Sequence, residues 1–172
     1  MNELSRMNQP LRVMLDTNAY TTILDLQHAS KYTNLVFLNK VVFYGFSIVR
    51  QELRAIPKTQ RLNEQNYRIL GLTYYDLLVR NHHLEKTKKM EELAESYLHE
   101  YDSGISKKKM WKDFLIVACA SINNLDIVVT NDSHSMSSPI AQRAYSKINK
   151  KWEYSTPRFL TLQYFSEFVF PV

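Results

Sequence analysis

The sequence predicts an α/β fold with a central, mainly parallel sheet of four to five strands and helices packed against it. Three observations predict it. Short apolar runs rich in β-branched and aromatic residues alternate with segments of helical periodicity. The runs carry few charges, as strands covered on both faces do. Two of them end in a polar step that contains aspartate, Asp16-Thr17-Asn18 and Asn131-Asp132-Ser133. In open parallel sheets, functional groups gather beyond the carboxyl ends of the strands.

Residues 11–15 (LRVML) follow Pro10 and read as a buried strand. Asp16 stops it and can cap a helix over 20–26, and 31–39 continues the helical region. Residues 41–46 (VVFYGF) form the second strand. Ser47 reads as the N-cap of a helix that carries Ile48, Val49 and Leu53 inward and ends before Pro57. The polar stretch 60–70 reads as helical, and 73–79 (TYYDLLV) as a third strand. A helix over 84–101 buries Leu84, Met90, Leu93, Ala94, Tyr97 and Leu98, and Asp102-Ser103-Gly104 ends it. Another runs over 110–122. The fourth strand is 125–130 (LDIVVT), a helical segment follows, and 152–155 offers a fifth strand. Thr156-Pro157 is a cap and first turn for a final helix.

A length of 172 residues fits one domain, with residues 1–10 as a polar N-terminal tail. That tail lacks the apolar core of a secretory signal, and no apolar run spans a membrane, so a cytoplasmic protein is expected. Three glycines and no phosphate-loop or dinucleotide fingerprint exclude those nucleotide folds. The net charge of +5 suits a polyanionic partner but does not require one. The single cysteine, Cys119, lies in an apolar run and reads as a buried small hydrophobe, without an intramolecular disulfide.

Four acids converge in this scheme. Asp16 and Asp132 follow strands. Asp113 opens the helix before the Asp132 strand, and Glu52 lies one turn into the helix after the second strand. An aspartate after a strand is most often a turn or a cap. The joint placement of four acids at one end of one sheet is what points to chemistry. Carboxylates brought together raise each other's pKa, and a divalent cation relieves that. Oxygen-only ligands suit Mg²⁺ or Mn²⁺ rather than zinc. Such an ion lowers the pKa of water and neutralises charge on a phosphate during displacement.

At these residues the sequence resembles the PIN-domain family, which includes the VapC-like toxins. The resemblance rests on Val13-Met14-Leu15-Asp16-Thr17-Asn18, Ser47-Ile48-Val49-Arg50-Gln51-Glu52-Leu53, the helix Asp113-Phe114-Leu115-Ile116-Val117-Ala118-Cys119-Ala120, and Ile127-Val128-Val129-Thr130-Asn131-Asp132. It implies a PIN-like three-layer α/β/α fold and a metal-dependent endoribonuclease. It makes Asp16, Glu52, Asp113 and Asp132 the catalytic and metal-binding groups, supported by Asn18, Thr130 and Asn131 through hydrogen bonds. RNA is the implied substrate. An antitoxin protein is the implied partner if the chain is a toxin, and dimerisation is a family-level expectation. Two features depart from the family pattern. The aromatic residue often found shortly after the last aspartate is replaced by Ser133-His134-Ser135-Met136, and 60–109 is longer and more basic than a compact toxin requires.

Two other classes compete. A non-catalytic PIN-fold module would bind RNA or a protein partner, and the presence of all four acids argues against it. A phosphatase with an aspartyl nucleophile would need a second Asp two residues on, where this chain has Asn18. His134 reads as a solvated loop residue and His82-His83 as a loop pair. Lys86, Lys88, Lys89, Lys107, Lys108, Lys109, Lys147, Lys150 and Lys151 could track an RNA backbone or simply solvate the surface. Tyr20, Tyr74, Tyr75 and Tyr145 could stack bases or serve the core.

Overall fold

The computed structural model describes residues 9–102 and 106–171. Most of the tail expected over 1–10, and Ser103-Gly104 of the expected helix stop, fall outside them. In chain order the elements are β1 (Leu11–Leu15), α1 (Thr17–Asp25), α2 (Ala29–Phe37), β2 (Val41–Phe46), α3 (Ser47–Ala55), β3 (Arg61–Leu62), β4 (Gln65–Asn66) and α4 (Tyr67–Val79). Then come β5 (His83–Leu84), α5 (Lys88–Glu100), α6 (Lys107–Ile122), β6 (Ile127–Val129), α7 (Pro139–Lys151), β7 (Arg158–Leu160) and α8 (Leu162–Val169).

Five strands form one parallel sheet in the order β5-β2-β1-β6-β7. Successive residues of β6 are all buried, as are the last three of β1, so both faces of the sheet centre are covered by helices. The chain leaves β1 toward β2 on one side and returns to β6 on the other. The switch point therefore lies between β1 and β6, where a crevice opens beyond the strand ends. Leu15 pairs with Val129 there, so the residues that follow both strands meet at one level. Among the described residues, no helix is long and apolar enough to cross a membrane.

Several elements differ from the sequence expectation. Residues 73–79 are not a strand but the second half of α4. Tyr67, Gly71, Tyr74, Tyr75, Leu78 and Val79 are its buried residues, and their three- and four-residue spacing is helical. Burial on one helix face outweighs the strand propensity of the tyrosines and the valine. The third strand of the sheet is instead β5, two residues long, which removes Leu84 from the expected helix. Thr87 caps that helix, α5, by accepting a hydrogen bond from the Met90 amide. Residues 60–66 form a hairpin rather than a helix. Asn63 and Glu64 both have positive φ, 47° and 67°, between the paired strands β3 and β4. Residues 152–153 form a turn after α7, with Glu153 at φ 59°, 154–157 are irregular, and β7 starts only at Arg158. Thr161, not Thr156, caps the last helix. Ser47 is the first residue of α3 rather than its cap, and its hydroxyl accepts from the Lys86 amide.

Gly45 makes room for a buried ring. A Cβ there would lie 2.1 Å from the Tyr75 hydroxyl oxygen and 2.8 Å from a Val79 methyl. Tyr75 cannot easily retreat, because it is 1% exposed and its hydroxyl meets His83 Nδ1 at 2.7 Å. Gly45→Ala is therefore expected to destabilise the protein by about 1–3 kcal/mol, the usual cost of overpacking. Thermal melting checks this, and an unchanged melting temperature would mean that the ring moves freely.

Candidate active site

Asp16 sits where β1 ends and caps α1. Its Oδ1 accepts from the Thr17 amide at 2.7 Å, and its Oδ2 accepts from Asn18 Nδ2 at 2.7 Å and Thr130 Oγ1 at 3.0 Å. The carboxyl is 7% exposed. Burial raises its pKa to about 6 in spite of the Thr17 and Thr130 bonds, and Glu52 and Asp132 add repulsion.

Asp132 lies two residues beyond Thr130, and its amide donates to Thr130 Oγ1 at 3.1 Å. One hydroxyl thus links Asp16 to the Asp132 backbone. Asp132 Oδ1 accepts from the amides of His134 and Ser135 at 3.1 and 2.8 Å. Burial alone would raise the Asp132 pKa, but the Ser135 hydroxyl and these two amides outweigh it, and the net shift is downward.

Asp113 is the seventh residue of α6, which begins at Lys107, so it does not open the helix. A carboxylate at a helix start would gain from the helix dipole, but that gain fades beyond the first turn. Asp113 still faces the same mouth. Ser135 Oγ meets Asp113 Oδ2 at 2.9 Å and also contacts Asp132 Oδ2. Burial raises the Asp113 pKa to about 7, partly offset by Ser135, with Asp16, Asp132 and Glu52 each adding repulsion. Burial is the larger cause for both Asp16 and Asp113, ahead of the mutual repulsion expected from sequence.

Glu52 comes from α3. Its Oε2 accepts from Thr17 Oγ1 at 2.6 Å and its Oε1 from Lys112 Nζ at 3.0 Å. The four acids therefore ring one mouth, joined through Thr17, Thr130 and Ser135. They do not close on a single point. Among the described residues, no three His, Cys, Asp or Glu groups are drawn together tightly enough to ligate one ion as they stand.

The donor set nevertheless fits a hard divalent cation. All four groups offer oxygen, and Mg²⁺ keeps several waters while using only one or two carboxylates directly. The Ser135 hydroxyl has one hydrogen and faces two carboxylates. The second contact needs either a proton on one acid or a cation shared between them.

Of the supporting residues, Asn18 bonds Asp16 directly and also accepts from the Asn131 amide at 3.0 Å. The Asn131 side chain touches none of the acids. It reaches Thr22 Oγ1 and accepts from the Leu162 amide, tying the loop to α1 and α8. Thr17, Lys112 and Ser135 enter the site without having been singled out in sequence. Thr17 and Lys112 adjoin acids, and Ser135 follows Asp132 by three, a spacing that favours local hydrogen bonds.

The His134 side chain is exposed. His83 bridges Tyr75 and Glu85, and the His82 ring packs on Tyr44. Tyr20, Tyr74, Tyr75 and Tyr145 are all core residues, between 0% and 4% exposed, and cannot stack bases as they stand. Cys119 is fully buried, and burial pushes its thiol pKa up. Lys86, Lys88 and Lys147 are paired with Glu91, Glu92 and Glu100.

No protein-family model matches this chain, and no curated protein does. Among solved structures, that of FitAB bound to an IR36 DNA fragment is similar, with a TM-score of 0.53 and 18% identity. The likeness covers 87% of this chain and 94% of that one. It extends to the fold alone: the chain has a PIN-like fold, a central parallel sheet flanked by helices.

Proposed function

We propose that this chain is a metal-dependent endoribonuclease that hydrolyses RNA phosphodiester bonds. One observation carries the reading. Carboxylates from four separate segments gather at the switch point between β1 and β6, and burial holds Asp16 and Asp113 near neutrality in pKa.

Asp16, Asp113 and Asp132, with Glu52, would hold Mg²⁺ or Mn²⁺. When bound, the ion would lower the pKa of the attacking water and neutralise charge on the phosphate. The chain's own residues prepare that site. Thr17, Asn18 and Thr130 fix the Asp16 carboxyl, and Ser135 fixes Asp113 against Asp132. Burial raises the Asp113 pKa to about 7, so near neutral pH a proton would compete with the ion for its carboxyl. Water oxygen bonds to phosphorus, the bond to the 3′ oxygen breaks, and that oxygen takes a proton. The products carry 5′-phosphate and 3′-hydroxyl ends.

The likeness to FitAB, together with the VapC-like sequence features, supports a partnered protein, the toxin of a toxin–antitoxin pair. A second reading, a non-catalytic module that binds RNA or a protein, is favoured by the Lys112–Glu52 ion pair, which already neutralises one of the acids. Incubation with single-stranded RNA in Mn²⁺ or Mg²⁺, with and without chelator, separates the two. Chelator-sensitive cleavage with the stated ends is expected. Intact RNA under all these conditions would leave only the binding module.

A further inference from the structure

A groove of about 650 Å³ adjoins the carboxylates, lined by Glu52, Leu98, Lys108, Lys109, Trp111 and Lys112. Its composition is opposite to that of the mouth beside it. Lys108 and Lys109 are exposed and, among the described residues, form no ion pair. Lys112 is 60% exposed even while holding Glu52. Trp111 and Leu98 are half-buried, packed on the core beneath them. The one acid in the lining, Glu52, is already engaged by Lys112. A second hollow, near Ser96 and Trp152, lies where α7 ends, 13 residues or about 20 Å along that helix from the Asp132 loop, and offers no such pairing of charge with site.

The geometry points to a nucleotide subsite in this groove, one that takes a base and the adjoining phosphates of single-stranded RNA next to the bond being cut. This rests on the nuclease reading and names its substrate class. Three ammonium groups on the opening of α6 match a polyanionic backbone. An indole beside a leucine provides an apolar shelf on which an unpaired base can stack, and every base has such a face. A duplex keeps its bases stacked inside and cannot use the shelf. Lys112 joins subsite and site, because the ammonium that holds Glu52 also faces the groove. An acidic protein segment would satisfy the charges, but the groove shares Glu52 and Lys112 with the proposed cleavage site, so the RNA strand entering that site is the occupant favoured.

Asp113→Asn protein, titrated with a short labelled oligouridylate, tests this by anisotropy and by indole emission. Saturable quenching is expected, and Trp111→Phe should abolish it while keeping affinity, because Trp152 is the only other indole. Trp111→Leu should weaken binding about tenfold through lost stacking. Lys108→Ala/Lys109→Ala should also weaken it, and should lower the slope of log affinity against log salt by about 1.4, at about 0.7 per phosphate contact. Polyglutamate should not compete. Binding with unchanged emission, affinity indifferent to the two lysines, or equal competition by polyglutamate would overturn the subsite. The two readings fail separately. If the parent protein cuts RNA and the lysine and Trp111→Leu variants cut with unchanged KM, the subsite falls and the nuclease stands. If the parent never cuts but the oligonucleotide quenches Trp111 as described, the nuclease falls and the groove remains an RNA site. Absence of any RNA binding overturns the subsite outright.

Discussion

Asp16→Asn and Asp113→Asn are each expected to lower the proposed RNA cleavage by about 10³-fold or more, with the fold retained, since each would remove a negative ligand of the proposed ion that an amide cannot replace. The two variants should differ in stability. Among the described residues, the side-chain hydrogen bond to Asp113 comes from the Ser135 hydroxyl, which can equally donate to the new amide oxygen. The substitution also removes a buried charge, so the metal-free protein should melt at or above the parental temperature. At position 16 the new NH₂ would face Asn18 Nδ2, and Asn18 cannot simply turn over because its oxygen already accepts from the Asn131 amide. That mismatch costs about 1 kcal/mol, offset by the removal of the charge. Both variants need cleavage rates and melting curves measured side by side. Parental cleavage rates in both would sink the assignment of these acids.

Without metal, the protein should lose stability as pH rises from about 4 to about 7. Asp16 and Asp113 have folded-state pKa values of about 6 and 7, above the unfolded value of 3.8. Groups shifted upward stabilise the fold fully below the unfolded pKa, and that contribution is lost as pH rises through the folded pKa. Asp132 is shifted the other way, so its stabilisation is present above its unfolded pKa and lost on further acidification. The loss between pH 4 and 7 should amount to about 2–4 kcal/mol, taking part of the full linkage at 1.36 kcal/mol per pKa unit. Mn²⁺ at about 100 times its dissociation constant should restore about 2.7 kcal/mol near pH 7.5, a rise of roughly 5–10 °C in Tm. The same Mn²⁺ should have little effect at pH 5, where protons occupy Asp16 and Asp113. Melting curves at both pH values, with and without Mn²⁺, read this directly. A shift of equal size at both, or none at either, would break the link between these acids and the ion.

The centre of the sheet was legible because β1 and β2 are apolar enough to be buried on both faces, and such runs have few other uses. The ends of β1 and β6 were legible for the same reason, since a polar step after such a run marks where the chain leaves the core. Other parts were not. The paired residues of β5 are only two, too few for any periodicity to show. The hairpin at Asn63 and Glu64 lacks the glycine that normally marks a turn with two positive φ angles. The tyrosine-rich α4 shows aromatic residues where strands usually have them, and its helical spacing emerges only once the run is extended back to Tyr67. In the candidate site, Asp16 and Asp132 could be placed from the strands they follow and Glu52 from the helix after β2, whereas Asp113 faces the mouth from the seventh residue of α6 and not from its start. The hydroxyl groups that orient the acids could not be placed, because Thr17, Thr130 and Ser135 acquire their partners only through tertiary contact. Thr130 stands out in the sequence only through its resemblance to the family pattern.

The sheet's two borders are short: two paired residues in β5 on one side and three in β7 on the other. So brief a row of free amides and carbonyls gives a foreign peptide little to extend, which guards against edge-to-edge aggregation. It also limits how another protein can grip this one. Recognition by added-strand pairing is poorly supplied, and any protein that docks here must rely on the outer helices and their side chains.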